Sequence, residues 1–341
     1  MKFRFPLTAA LGAIALAACS PEPATTDTAA TADHGAMEGH ENMAAPAQAV
    51  STPGSMGTMP ATIVAKRGGF IPEGIEYDQT NARLLTGSLA EGTIFEIGRD
   101  GSVTPFITDS DLVSSVGIEA DEPHDRLLVA NSDRAVFGGE GSGQAKLGVY
   151  SLTTGERLAM VDMGALLPPG AAFFANDVAV DDAGNAYATD TQRNVIYRVS
   201  VGFEPSIFYT FPATENLALN GIVYHPDGYL LVADSGNGLL YKTPIDAPAA
   251  TALVRLPEPV SGDDGLVWRA DGALGVVQNI SPGGRVTALT SNDGWASAQV
   301  AGVAPHEGQA TTGAAVGNDI YIVQPHFNDQ DPPTFHRAVF Q

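Results

Sequence analysis

The sequence predicts an all-β chain folded as a six-bladed β-propeller. Two observations carry this expectation. A two-residue step recurs six times, each time opening an extended apolar stretch. Its first residue reads Glu73, Val116, Asn176, Asn220, Asp264 and Thr312, and its second reads Gly74, Gly117, Asp177, Gly221, Gly265 and Gly313. Successive steps lie 43, 60, 44, 44 and 48 residues apart. A period of that size, with strand patterning and no sustained 3.6-residue periodicity, belongs to a propeller rather than to a helical solenoid.

Taken from the start of the chain, residues 1–18 read as an export signal. Lys2 and Arg4 precede an apolar run from Leu7 to Ala18 that is too short to span a bilayer. Leu16-Ala17-Ala18-Cys19 resembles a lipobox, so Cys19 is the expected lipidation site and the first residue of the mature chain. It is also the only cysteine, which excludes a disulfide within the chain. Ser20 follows it, with no Asp at that position. In a host with two membranes this pattern resembles lipoproteins sent to the outer one, facing the periplasm. Residues 19–60, rich in Ala, Thr, Pro, Glu and Met without an apolar period, read as a flexible tether. The tether carries His34, Met37, His40, Met43, Met56 and Met59, ligand types that suit copper but that a plain tether also carries. The formal charge of -22 becomes -24 without the signal. Such a surface repels nucleic acid, suits a monomer in solution and attracts divalent cations.

Residues 61–341 remain for the propeller. The middle segments show the unit best. Asn220-Gly-Ile-Val-Tyr-His-Pro-Asp-Gly-Tyr-Leu-Leu-Val-Ala-Asp234 is a strand, a tight Asp-Gly turn and a second strand. The segments from Asn176 and Asp264 repeat this plan, and those from Glu73, Val116 and Thr312 follow it more loosely. The long second gap predicts an insertion in blade two, at Gly138–Gly143 or Leu166–Ala172, either of which could lie over the site. Thr62–Lys66 is expected to close the ring by adding an outer strand to the last blade, beside the chain near Phe335–Phe340.

Equivalent positions of a closed ring converge on its axis. Glu73, Asn220 and Asp264 then supply two carboxylates and an amide oxygen at one mouth, with Asn176 as a further ligand or a substrate contact. An all-oxygen set of this charge suits Ca²⁺, and is plausible for Mg²⁺ or Mn²⁺. It lacks the His and Cys usual for zinc. His306 precedes blade six and is a second base candidate at the same mouth. His124 and His225 fall in turns at the far end, where solvation is expected, and His326 and His336 are read as structural. The chain has no Gly-x-Ser-x-Gly and no His-Glu-x-x-His, which removes support for the common serine-hydrolase and zinc routes.

With these residues in view, 61–341 resembles the SMP-30/gluconolactonase/LRE-like family of six-bladed propellers, and more distantly paraoxonases and strictosidine synthase. The matching motifs are Glu73-Gly74, Asn176-Asp177, Asn220-Gly221 with Tyr224 and Pro226-Asp227-Gly228, and Asp264-Gly265. The resemblance implies that Glu73, Asn220 and Asp264 bind a divalent metal, Ca²⁺ first and Mg²⁺, Mn²⁺ or Zn²⁺ as alternatives. It further implies that Asp264 is the general base and that Asn176 contacts substrate. One departure matters. Sugar lactonases of the family carry an Arg two residues before the blade-three Asn, and here Phe174 stands there, preceded by Phe173. Phe174 is therefore a substrate-binding candidate that favours a more apolar lactone or ester, while packing between blades is its other reading. Two functions follow: a lipid-anchored, metal-dependent lactonase or esterase, or a non-catalytic propeller that binds a ligand or partner around a structural cation.

Overall fold

The structure is a computed structural model and describes residues 59–327 and 331–341. The signal, Cys19 and nearly all of the tether lie outside the described residues. Met59 packs on the apolar cluster formed by Ile63, Phe70, Leu84, Val323 and Phe335, and its carbonyl accepts a hydrogen bond from Tyr321 Oη.

The described residues form six antiparallel blades, each built on four strands. The inner strands are Ile75–Asp78, Ser114–Asp121, Phe173–Val180, Leu219–His225, Asp263–Trp268 and Gly313–Val316. Each is followed by a hairpin to the second strand. In blade four, His225 pairs with Tyr229 across the turn, and Gly228 takes a φ of 84° that a side chain rarely adopts. Blade six is completed by Thr62–Val64, which pairs with Thr334–Arg337. The first and last strands of the propeller thus share one sheet, and the ring closes where the sequence places the closure.

Apolar faces pack between neighbouring blades. Leu128, Val149, Val178 and Tyr197 join blades two and three, and Leu231, Leu240, Leu266 and Trp295 join blades four and five. Residues such as Leu128 and Val149 alternate along their strands with the opposite face, so each inner sheet is apolar on both sides.

The insertion of blade two lies between its second strand, Arg126–Ser132, and its third, Lys146–Ser151. It holds a short 3-10 turn, Arg134–Gly138, and a two-residue strand, Gly143–Gln144. That strand crosses to blade three and pairs in parallel with Phe173 and Phe174. Of the two expected locations, the Gly-rich stretch carries the insertion, and Leu166–Ala172 is the connection between blades two and three.

Candidate functional site

In four of the six blades the recurring step is a bulge. In blades two to five the pairing of inner and second strands shifts register across it: between Ser115 and Ile118, Ala175 and Val178, Leu219 and Ile222, and Asp263 and Leu266. A bulge frees two residues from the ladder and re-aims their side chains. This is how Asn176, Asn220 and Asp264 turn toward the axis from strands that otherwise alternate between blade faces.

The steps also touch one another around the ring. Gly74 N donates to Val116 O at 3.0 Å, and Thr311 Oγ1 donates to Glu73 O at 2.8 Å, which joins blade six to blade one. Thr189 Oγ1 reaches Asn220 O at 2.7 Å, and Ile222 N donates to Asp177 Oδ2 at 3.1 Å. A Cβ on Gly74 would lie 2.2 Å from Val116 O, and one on Gly265 would lie 2.0 Å from Thr312 Oγ1. The glycines are there because neighbouring inner strands approach closely.

Glu73, Asn220 and Asp264 come together at this level. Asn220 donates to the Asp264 carboxylate, and Asn279 Nδ2 donates to Asp264 Oδ2 at 2.8 Å. Burial pushes Asp264 up to about 6, against the lowering effect of those two amides. Glu73 is held well above the usual carboxylate range, first by burial and then by the charges of Asp264 and Asp177. Among the described residues no Lys or Arg pairs with any of the three acids. Asn176 is buried, and its Nδ2 donates to Thr191 Oγ1 at 2.9 Å.

A divalent cation fits this set. The donors are oxygens, the acids repel one another, and Asn279 Oδ1 is buried beside Asp264 without a hydrogen-bond partner. Among the described residues no three His, Cys, Asp or Glu side chains are grouped to hold a metal. The candidate set accordingly mixes two carboxylates with amide oxygens, which is hard-cation rather than zinc chemistry.

Asn279 is a residue that the sequence reading missed. It stands fifteen residues after Asp264, and Thr191 and Ser235 stand at the same offset from Asn176 and Asn220, each in hydrogen-bond contact with its partner. That repeated offset is a signal the sequence holds. Asp177 was legible as the odd residue in a row of glycines and as half of the Asn176-Asp177 motif, but with no role of its own. Burial pushes it up to about 7, against hydrogen bonds from Ile222 N and Val178 N. Asp263, one residue before Asp264, is fully buried, and burial with the nearby Asp234 pushes it up to about 9.

Phe174 does not face the mouth. It is 4% exposed, packs in the core of blades two and three, and meets the tilted ring of Phe137 with centroids 4.6 Å apart. The aromatic ring that meets solvent there is Phe137, 62% exposed, on the inserted turn. Val116 is buried and Thr312 half-buried. Burial pushes the His306 imidazole below its usual value, and the ring packs on Gly284, with Nε2 buried and unpartnered. Of the far-end histidines, His124 contacts Asp121 at 2.7 Å, while His225 stacks on Tyr229 and meets the edge of Trp268 instead of standing free in solvent.

No protein-family model matches the chain, and no curated protein matches it. Solved structures do. A gluconolactonase from Xanthomonas campestris aligns with a TM-score of 0.58 at 16% identity, over 82% of this chain and 89% of that one. The likeness is one of fold. A calcium-binding regucalcin from Agrobacterium tumefaciens aligns with a TM-score of 0.57 at 16% identity, over 83% and 94%. Virginiamycin B lyase from Staphylococcus aureus aligns with a TM-score of 0.56 at 12% identity, over 80% and 82%. The six-bladed architecture is common to gluconolactonase-like and regucalcin-like propellers, and the similar structures include both lactonases and lyases.

Proposed function

We propose that this chain is a metal-dependent hydrolase of a lactone or related ester. The observation that carries the reading is the convergence of Glu73, Asn220 and Asp264 on one mouth, with the unpartnered Asn279 oxygen beside them. The gluconolactonase and calcium-binding regucalcin among the similar structures support it.

Glu73, Asn220 and Asp264 would hold the cation, Ca²⁺ first by donor type. When bound, the cation supplies Lewis-acid polarisation of an ester carbonyl and favours charge developing on its oxygen. Asp264 accepts a proton from the attacking water. The new bond joins water oxygen to the carbonyl carbon, the ring C–O bond breaks, and the proton passes to the departing alkoxide, giving a hydroxy acid. Asn220 and Asn279 fix the Asp264 carboxylate for this, and Asn176, held by Thr191, orients the substrate.

Turnover of a lactone and ester panel, before and after chelation, tests the reading. Hydrolysis that stops with chelator and returns with Ca²⁺ supports it. A cation that raises the melting temperature with no hydrolysis of any substrate assigns the chain instead to a binding propeller with a structural ion.

We further propose that the chain is exported and lipid-anchored through Cys19, as the lipobox-like run supports. Cys19→Ser should move the protein from the membrane fraction to the soluble one on expression in a bacterium. A variant that remains in the membrane fraction would contradict the anchor.

A further inference from the structure

Three residues after each recurring step the chain carries Glu76, Glu119, Ala179, Val223, Val267 and Ala315. All six line one cavity of about 190 Å³. A contribution from every inner strand places that cavity on the axis of the ring. Between it and the candidate site the channel narrows to about 30 Å³ beside Asp177 and Thr312, room for roughly two waters. A ligand of more than a few atoms in the wider cavity is therefore separate from the candidate site.

This second ring is lopsided. Its two acids are neighbours, on blades one and two, and its other four positions are apolar. No Lys, Arg or His is among the residues that line the cavity. Among the described residues the Glu119 side chain makes no hydrogen bond and no ion pair, and Glu76 Oε1 accepts only from Tyr77 N, at 2.9 Å. The charges acting on the pair come from further acids, Asp78, Asp121, Glu122 and Asp177. Two carboxyl groups held in a cavity without a counter-charge are costly to ionise, and a cation entering the cavity relieves that cost.

The walls decide which cation. Ca²⁺ takes about six to eight oxygens, and Mg²⁺ demands a near-ideal octahedron. Here two carboxyl groups face four hydrocarbon side chains, and among the described residues no three His, Cys, Asp or Glu are grouped to hold a metal. An ammonium ion with an alkyl substituent needs no such shell. Its N–H groups can donate to both carboxylates, as charge-assisted hydrogen bonds, while its hydrocarbon leaves water for the apolar positions. The size agrees, since a cavity of about 150 Å³ holds a benzene molecule.

We propose that this cavity binds a small alkylammonium ion, with Glu76 and Glu119 as its anionic partners and Ala179, Val223, Val267 and Ala315 around its hydrocarbon part. The inference does not rest on the hydrolase reading.

Titration calorimetry on the full chain tests it, with n-butylammonium as the probe and 1-butanol as its neutral counterpart. The ammonium should bind about tenfold or more tighter than the alcohol. Glu76→Gln and Glu119→Gln, each shown to be folded by its melting curve, should each weaken it by about tenfold or more. Burial pushes Glu76 up to about 8, so at pH 7 the incoming cation should displace its proton, and the measured heat should vary with the buffer. Equal affinity for the alcohol would overturn the proposal, because the cavity would then read hydrocarbon alone. Binding that Glu73→Gln removes and Glu76→Gln leaves intact would also overturn it, by placing the ammonium at the candidate site. So would Ca²⁺ that displaces the ammonium from Glu73→Gln, since the cavity would then be a metal site.

Discussion

Asp264 shares its surroundings with two other acids and two amides, and the balance between them sets its chemistry. The amides of Asn220 and Asn279 favour its charged form, and burial opposes them. Asn279→Ala removes one donor and one buried oxygen at once. It should cost about 10–100-fold in metal affinity or activity, the range for a group that orients a ligand. Because the lost donor stabilised the carboxylate, the acid limb of the pH–rate profile should also move to higher pH. An unchanged limb with reduced activity would mean that Asn279 acts through packing alone. At this scale Glu73, Asn220 and Asp264 were legible because their positions recur. The choice of Asp264 over Asp263 rested on alignment with the other Gly-containing steps, and the structure gives the two different neighbours: Asn220 and Asn279 hydrogen-bond to Asp264, while Asp234 is the first charge acting on Asp263. Phe174 was legible as a departure from an Arg with two readings, substrate contact or packing between blades; the sequence could not choose, because a strand residue's face depends on a register that the bulge shifts, and in the structure the ring is buried.

At the scale of elements, the bulged inner strand links fold and site. Each one bends where it meets its neighbour, and the step's glycine admits the neighbouring backbone. Gly74→Ala would drive a Cβ to 2.2 Å from Val116 O, and backbone cannot yield cheaply. A loss of about 1–3 kcal/mol or more is expected, in the range of core overpacking. Gly138→Ala, in the inserted turn, meets nothing within 4 Å and has no left-handed φ. It should be neutral or gain about 0.4–1 kcal/mol through the unfolded chain. Denaturant unfolding of both variants checks the pair, and equal stabilities would remove close approach as the reason for the glycines. The hairpins and blade count were legible because Asp-Gly turns and alternating apolar residues are local signals. The cross-blade strand Gly143–Gln144 was not, since two residues carry no pattern and their partner is distant in sequence.

For the whole molecule, closure of the ring gathers acids that the sequence scatters. Below the bulges, Glu76 and Glu119 line a cavity of about 190 Å³ within the channel. Burial, opposed by a hydrogen bond from Tyr77 N and helped by nearby acids, pushes Glu76 up from 4.5 to about 8. Glu119 is raised well above the usual range by burial and then by Glu76. A carboxyl whose folded value is raised favours the folded state below its unfolded value, and that contribution is lost as pH rises to the folded one. Under chelation, wild-type stability should therefore fall between about pH 4.5 and pH 8 relative to Glu76→Gln, which has no charge to bury. The variant should match the wild type near pH 4 and exceed it at pH 8 by about 1–2 kcal/mol, less than the full shift because the channel admits water. A variant that is less stable at pH 8 would show that Glu76 is held charged by a group or ion in the channel. The sequence showed an acidic chain, but only closure shows which acids meet.

The claim at the centre of this account is that the acids of the mouth hold a cation for hydrolysis. The most direct measurement is the rate of lactone hydrolysis by the full chain and by Asp264→Asn, each in excess Ca²⁺ and in chelator, with folding followed by circular dichroism. The account predicts turnover only by the wild type in Ca²⁺, with both proteins folded throughout. Equal turnover by Asp264→Asn, or turnover that chelation leaves intact, would contradict it.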